Sequence, residues 1–413
     1  MSSKLVFRPH CFSLCFILVK ESRYNNLNMS SLKIALVHDY LRDYGGAERV
    51  LEALHELYPE APVYTAFIDR TALGSNWDRF KTWDLRETWL GRIPGFKFKK
   101  LFSPLRFLAP KAFADLDLSN YEVVISSSNA YFAKAVHVPN GRHLCYCHTP
   151  PRALYGYTAM SDWKKHPLIR IGGEIINHYL RVRDFQIAQK VDVFIANSHE
   201  TARRIQKFYR RESFVIYPPV GFPKLEQKKS ATTVNFGKKE YFLSVNRLAL
   251  AKHPEIAVAA CLTLDLPLKV VGDGPMLIAL KNQVSEWQMA HPNSAVRVEF
   301  LGAVVDAELQ TLYAEAKALL YPVEDEDFGM VPVEAMLAGT PVIAHNSGGP
   351  RETVLPGLSG VLFDELSTTG LIAAIQDFSQ QTFSTSKISQ QAAKFSKAAF
   401  MKAIPQLVAR QLQ

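Results

Sequence analysis

The densest chemistry in this chain lies at 324–352, EDEDFGMVPVEAMLAGTPVIAHNSGGPRE. Glu324, Asp325, Glu326 and Asp327 follow an apolar strand candidate at 318–321, and four adjacent carboxylates at a strand end repel one another unless cations or a ligand offset them. Phe328-Gly329 reads as a tight turn, Pro332 suits the first turn of a helix, and Gly339 suits its end. Glu326 therefore lies on a loop and Glu334 on the helix that follows, seven residues intervening, so both can face one cleft.

Cations occur at matching places. Arg247 and Lys252 flank the end of a strand at 241–245, before a helix at 255–262. Cations are unfavourable at a helix N-terminus, where the macrodipole is positive, so this pair suits an anion. Val271-Gly272-Asp273-Gly274-Pro275 is a glycine-rich turn after another strand. In the first half, Gly45-Gly46 precedes a helix at 47–57, where backbone N–H groups can approach a phosphate. Cys145-Tyr146-Cys147-His148 follows a strand, but the chain offers no second ligand pair, so no metal is expected.

Taken in order, these segments resemble retaining glycosyltransferases of family 4, which have the GT-B fold. The resemblance covers about residues 32–365 and rests on HDYL…GGAERV, CYCHTP, NS…YPPV and EDFGMVPVEA, followed by Gly339-Thr340-Pro341, Gly348-Gly349 and Glu352-Thr353-Val354. It is nearest to bacterial enzymes of O-antigen, capsule and exopolysaccharide synthesis, including a mannosyltransferase-like branch. It implies catalytic roles for Glu326, which contacts the donor sugar, His148, which lies beside that sugar, and Arg247 and Lys252, which hold the diphosphate. Donor binding is implied for Gly45, Gly46, Asn246, Gly272, Gly274, Phe328, Gly329 and Met330, with Glu334 on the ribose. Departures are modest: Asn246 replaces a Gly or Ser, His253 follows Lys252, and Tyr155-Gly156-Tyr157 replaces a stretch that usually contains Trp.

The implied reaction moves a sugar, mannose in one branch, from a GDP- or UDP-linked donor to a lipid-linked or oligosaccharide acceptor, with retention and without a metal cofactor. Two other readings share the fold: a catalytically inactive sugar-nucleotide-binding subunit and a sugar-nucleotide epimerase.

The elements that must position these residues alternate between β-branched runs and helical patterns. Strands are expected at 33–38, 62–65, 122–126, 143–147, 191–196 and 214–216, then at 241–245, 268–271, 296–301, 318–321 and 341–344. A long helix is expected at about 169–190. Continuous apolar strands between helices imply α/β structure with parallel sheets covered on both faces. The chain divides into a doubtful leader or mis-assigned start at 1–28, an acceptor-side Rossmann-like domain at 29–221 and a polar linker at 222–239. A nucleotide-sugar-binding Rossmann-like domain at 240–384 follows, then a helical tail at 385–413 that returns towards the first domain. The two doubly wound domains would face one cleft, since such sheets bind ligands at the carboxyl ends of their strands.

The 413 residues are 48% hydrophobic with a net charge of +9, which excludes a disordered or fibrous chain. Five cysteines, an odd number, suit a reducing compartment. The leader carries +3 of the charge, while segment 83–113 has seven Lys/Arg against two acids, with Phe and Trp among them. That pattern suits peripheral contact with an anionic membrane, at the inner face of the cytoplasmic membrane, rather than a nucleic acid.

Overall fold

A computed structural model describes residues 32–94, 96, 101, 104–157, 167–221, 240–295 and 297–413. The expected leader, the linker 222–239 and positions 95, 97–100, 102 and 103 of the basic segment lie outside the described residues.

Two parallel sheets carry the fold. The first contains β1 (Ile34–His38), β2 (Val63–Thr65), β3 (Leu85–Glu87), β4 (Val123–Ser128), β5 (Arg142–Cys147), β6 (Val193–Ala196) and β7 (Ser213–Val215), in the order β3-β2-β1-β4-β5-β6-β7. The second contains β8 (Phe242–Val245), β9 (Leu268–Val271), β10 (Val298–Gly302), β11 (Leu319–Tyr321), β12 (Val342–His345) and β13 (Gly360–Phe363), in the order β10-β9-β8-β11-β12-β13. Both are doubly wound: strand order reverses between β1 and β4 and between β8 and β11, which opens a crevice at the carboxyl ends of those strands.

Side-chain alternation of period two places each sheet between two apolar layers. From β1, Ile34 and Leu36 enter one layer while Ala35 and Val37 enter the other. In the second sheet, Leu319 and Tyr321 of β11 face one layer and Leu320 the other. The sequence reading lacks β3 and β13. Both are short edge strands: β3 reads Leu-Arg-Glu, with little apolar signal. β13 opens on Gly360, whose missing Cβ would stand 1.9 Å from the Val342 carbonyl oxygen.

The helical tail is two pieces serving different cores. Helix Thr385–Ala392 packs Ile388 and Ala392 against the second sheet's helix Met330–Leu337. Helix Lys397–Gln411 inserts Phe400, Ile404 and Val408 into the first core, beside Val50 and Leu54 of helix Gly46–Leu57. The chain thus crosses back to its first domain, and Lys397 pairs with Glu56 there.

Several described aromatics and apolar residues of segment 83–113 serve the first domain's core. Leu90, Phe96 and Phe113 are buried in the layer that contains Ala35, Val37 and Phe67. Trp83 stacks on His55 at 3.9 Å, and the Trp89 indole donates to Asp115. Among the segment's described residues, Phe107 is the exposed aromatic. The other described aromatics fill the sheet's flank because burying a large ring stabilises more than leaving it wet. Among the described residues, no helix is long and apolar enough to cross a membrane.

Because Ile404 is fully buried between the two helices, Ile404→Ala should destabilise the first domain by about 2–5 kcal/mol, measured by urea denaturation.

Candidate active site

The loop after β11 carries the acids. Gly329 has φ +82 and starts helix Met330–Leu337; Gly339, φ +78, follows the helix end. The Gly348-Gly349 turn lies directly on the acidic loop. A Cβ at Gly348 would stand 2.1 Å from the Glu326 carbonyl oxygen, and one at Gly349 would stand 2.1 Å from that of Phe328. The Gly349 N–H donates to the Glu326 carbonyl at 2.8 Å, and the Asp325 N–H donates to Ser347 Oγ at 3.0 Å. The turn therefore holds Glu326 in place through its backbone.

Glu326 pairs with Lys252. Burial alone would raise its carboxyl pKa, but Lys252 and then Arg152 hold it below its ordinary value. Glu334, 3% exposed, accepts from the Tyr313 hydroxyl at 3.0 Å and pairs with Arg49 from the other domain. Asp327 also reaches across: Arg152 lies 2.9 Å away, and the buried Arg204 pairs with it as well. The Asp325 carbonyl accepts from Arg152 at 2.7 Å and from Arg204 at 2.9 Å, while Ser198 Oγ donates to the Asp327 carbonyl. Glu352 accepts the N–H groups of His199 and Glu200 at the start of helix His199–Tyr209, where a carboxylate offsets the helix dipole.

Between the domains lies a cavity of about 370 Å³ lined by Gly45, Gly46 and Arg49 on one side. Asn246, Arg247, Gly272, Met330 and Glu334 line it on the other. Arg247 is exposed there and forms no ion pair among the described residues. Asn246 is 7% exposed, and among the described residues its Nδ2 has no hydrogen-bond partner. A buried amide left so is costly unless a ligand completes it. Gly272, φ +122, allows the close approach of two strand ends, since its Cβ would stand 1.9 Å from the Asn246 carbonyl oxygen. Gly274 likewise lies against the Leu248 carbonyl, so it supports the pocket's backbone. Gly46 faces Met330, with the Sδ 2.9 Å from where a Cβ would be.

His148 follows β5 and is buried. Its Nε2 lies 2.8 Å from Ser127 Oγ. Burial, and then nearby His38, pushes the imidazole down to about 3, so it is neutral at neutral pH. Cys145 and Cys147 are packed among Ala188, Phe194 and Tyr209. Burial pushes both thiols up.

The expected residues thus divide into a cavity set (Gly45, Gly46, Asn246, Arg247, Gly272, Met330, Glu334), the Lys252–Glu326 pair, and His148 on a strand end of the first sheet. Phe328 is buried in the second core, beside Tyr217 and Phe395. One detail corrects the reading: the Gly45 N–H donates to Glu48 Oε2 at 2.8 Å, so it is not free for a phosphate. Arg49, Arg152 and Arg204 are missing from the expected site residues, and Asp327 entered only as one of four adjacent acids. Arg49 stands inside the quoted GGAERV motif and Arg152 two residues after CYCHTP, but nothing local marks their partners.

Residues 226–398 match the family described as Glycosyl transferases group 1. The chain is 27% identical over 381 residues to the alpha-1,3/1,6-mannosyltransferase ALG2 of Candida glabrata, covering 78% of each chain. It is 37% identical over 120 residues to a GDP-mannose-dependent alpha-mannosyltransferase of Mycolicibacterium smegmatis, 29% of each chain. Among solved structures it is similar to Anabaena Alr3699/HepE in complex with UDP-glucose, with TM-score 0.62 and 18% identity over 91% of this chain and 99% of that one. The fold is GT-B. The family match and the mannosyltransferase relatives together support a glycosyltransferase. In that GT-B frame, the acidic loop and the cavity occupy the crevice between the facing Rossmann-like domains.

Two outcomes follow from the loop's construction. Gly348→Ala forces a Cβ into the Glu326 carbonyl at φ +59, and should lower stability by about 1–3 kcal/mol, read as an earlier thermal transition. Glu326 has a folded pKa below its ordinary 4.5, so its stabilisation is complete above that value and is lost as pH falls through the folded value. Denaturation midpoints measured in acid should fall over that window, and the fall should be shallower in Glu326→Gln.

Proposed function

We propose that this chain is a retaining glycosyltransferase that transfers mannose from a nucleoside-diphosphate donor to a lipid-linked saccharide. The observation that carries this reading is the cavity at the two switch points. There Arg247 and the Asn246 amide, which among the described residues have no ion pair and no Nδ2 partner, lie on the same wall as Glu334 and across from Arg49. A diphosphate answers the cation, and hydroxyl or base oxygens answer the amide. Mannose is suggested by the relatives' names, which include several ALG2 mannosyltransferases, and the lipid-linked acceptor is carried over from the family that the sequence resembles.

In this reading Arg247 and Lys252 stabilise the diphosphate as it leaves, and they supply the positive charge from the protein itself. Glu326, held ionised by Lys252 and Arg152, orients the sugar, and Glu334 takes the ribose hydroxyls. The acceptor attacks on the face the diphosphate leaves, and a donor phosphate oxygen takes its proton. A double-displacement route needs a carboxylate free to attack the anomeric carbon. Glu326 is instead engaged by a lysine, which suits an orienting role.

A thermal-shift panel of GDP- and UDP-sugars identifies the donor, because a ligand that binds the folded state raises its transition. GDP-mannose is expected to give the largest shift. With the stabilising donor, Lys252→Ala and Arg247→Ala should each reduce turnover by about 10²–10³-fold. NMR of the product should show the donor's anomeric configuration. The absence of a shift with every nucleotide sugar would refute the proposal.

A further inference from the structure

A second cavity, of about 650 Å³, lies at the outer edge of the first sheet and shares no residue with the cavity between the domains. It runs along β3, which pairs with β2 alone. Its volume falls in the range usual for ligand sites, about 300–1,000 Å³. Arg70, Lys81, Arg86 and Arg92 line it against one carboxylate, Glu87. Tyr64, Trp77 and Trp83 give it aromatic walls.

We propose that this groove binds a saccharide that carries an anionic group, a carboxylate or a phosphate. The choice of a saccharide rests on the glycosyltransferase reading; the preference for an anion does not.

The charge of the lining points to the anion. Glu87 is engaged by the backbone, since it accepts the Ile68 N–H. Arg92 is exposed and has no ion pair among the described residues. Arg70 is exposed as well; its guanidinium lies 4.6 Å from the centroid of the Trp77 ring, and it too has no ion pair among those residues. Lys81 and Arg86 do have acids beside them, Asp78 at 2.9 Å and Asp84 at 2.6 Å. Both pairs are exposed, so water screens them and a ligand can replace the acid at small cost. The planar fork of arginine matches a carboxylate or a phosphate with two parallel hydrogen bonds.

The aromatic walls point to the sugar. Trp83 is held by stacking on His55 at 3.9 Å and by the edge contact of Phe80 at 4.9 Å. Trp77 and Trp83 are half-buried against the first core, so neither can swing freely. Fixed aromatic rings beside polar groups suit a ligand that is apolar over its faces and polar around its rim. A sugar ring has C–H groups over its faces and hydroxyls around its rim. A peptide strand fits less well, because β3 is only three residues long with Arg86 at its centre, and a short charged edge resists strand addition. One turn borders both the groove and the domain junction: Trp77 lines the groove, and Arg79, two residues on, pairs with Asp306 of the second domain. A saccharide held there therefore lies beside the contact that links the two domains.

Isothermal titration of the full chain tests the proposal with three hexasaccharides: oligogalacturonate, maltohexaose, and maltohexaose bearing one phosphate. At least one of the two anionic sugars should bind about tenfold more tightly than plain maltohexaose, and the tighter of them identifies the anion. Arg70→Gln combined with Arg92→Gln should weaken that binding about tenfold or more. Both positions are exposed, and an unchanged thermal transition checks that the variant folds. Trp77→Leu should weaken the same binding, whereas Arg247→Gln, in the cavity between the domains, should leave it unchanged. Four results would overturn the proposal: equal affinity for plain maltohexaose, no binding of either anionic sugar, tighter binding of a single-stranded RNA hexamer, or loss of binding in Arg247→Gln. The nucleotide-sugar thermal shift reads the other cavity. Saccharide binding without any donor shift refutes the glycosyltransferase reading alone, and a donor shift without saccharide binding refutes the groove alone.

Discussion

Carboxylates crowded at one strand end need opposite charge, and the structure supplies much of it from the other half of the chain. Lys252 neutralises Glu326 from within the second domain, but Arg152 and Arg204 reach Asp327 from the first, and Arg49 reaches Glu334. Arg204 is 2% exposed, so its guanidinium is stable there only while the acidic loop stays against it. This charge balance closes the crevice and aligns the two switch points. The closed cleft then withdraws Glu326 from water, where each remaining charge acts more strongly on a substrate.

Backbone packing makes that alignment possible. Gly272, Gly348 and Gly349 each stand where a Cβ would meet a carbonyl oxygen, and each lies behind a residue of the site: Asn246, Glu326 or Phe328. The glycines here act by letting chain approach chain. Even at Gly45, whose N–H might have served an anion, Glu48 occupies the donor. The protein holds its site rigid with these contacts and keeps its open polar groups, Arg247 and the Asn246 amide, on the cavity wall.

A buried polar line runs from Glu48 through His38 and Ser127 to His148 and is continuous with this frame. Its members come from the ends of neighbouring strands, where parallel pairing places His38 opposite Ser127. A parallel sheet aligns such ends in one row, so buried polar side chains can hydrogen-bond along it. The tail belongs to the frame as well: helix Lys397–Gln411 completes the first core from the far side of the second domain.

By itself the sequence determined the elements and the loops. Continuous apolar runs marked the central strands, glycine and proline marked the ends of helix Met330–Leu337, and motif order placed Glu326, Arg247 and Lys252 after strand ends and Glu334 on that helix. These are local properties, set within a few residues by backbone sterics and side-chain alternation. The edge strands β3 and β13 escaped because they are only three and four residues long: Leu-Arg-Glu has one apolar side chain, and Gly-Val-Leu-Phe shows no alternation. Tertiary structure decided which charges meet. Arg49 and Glu334 are 285 residues apart, and Arg152 and Asp327 are 175 apart. A surface arginine and a latch arginine look alike until the fold brings a carboxylate to one of them. The same holds for segment 83–113. Its composition interleaves basic and aromatic residues, and only the fold decides that Phe96 and Phe113 enter the core.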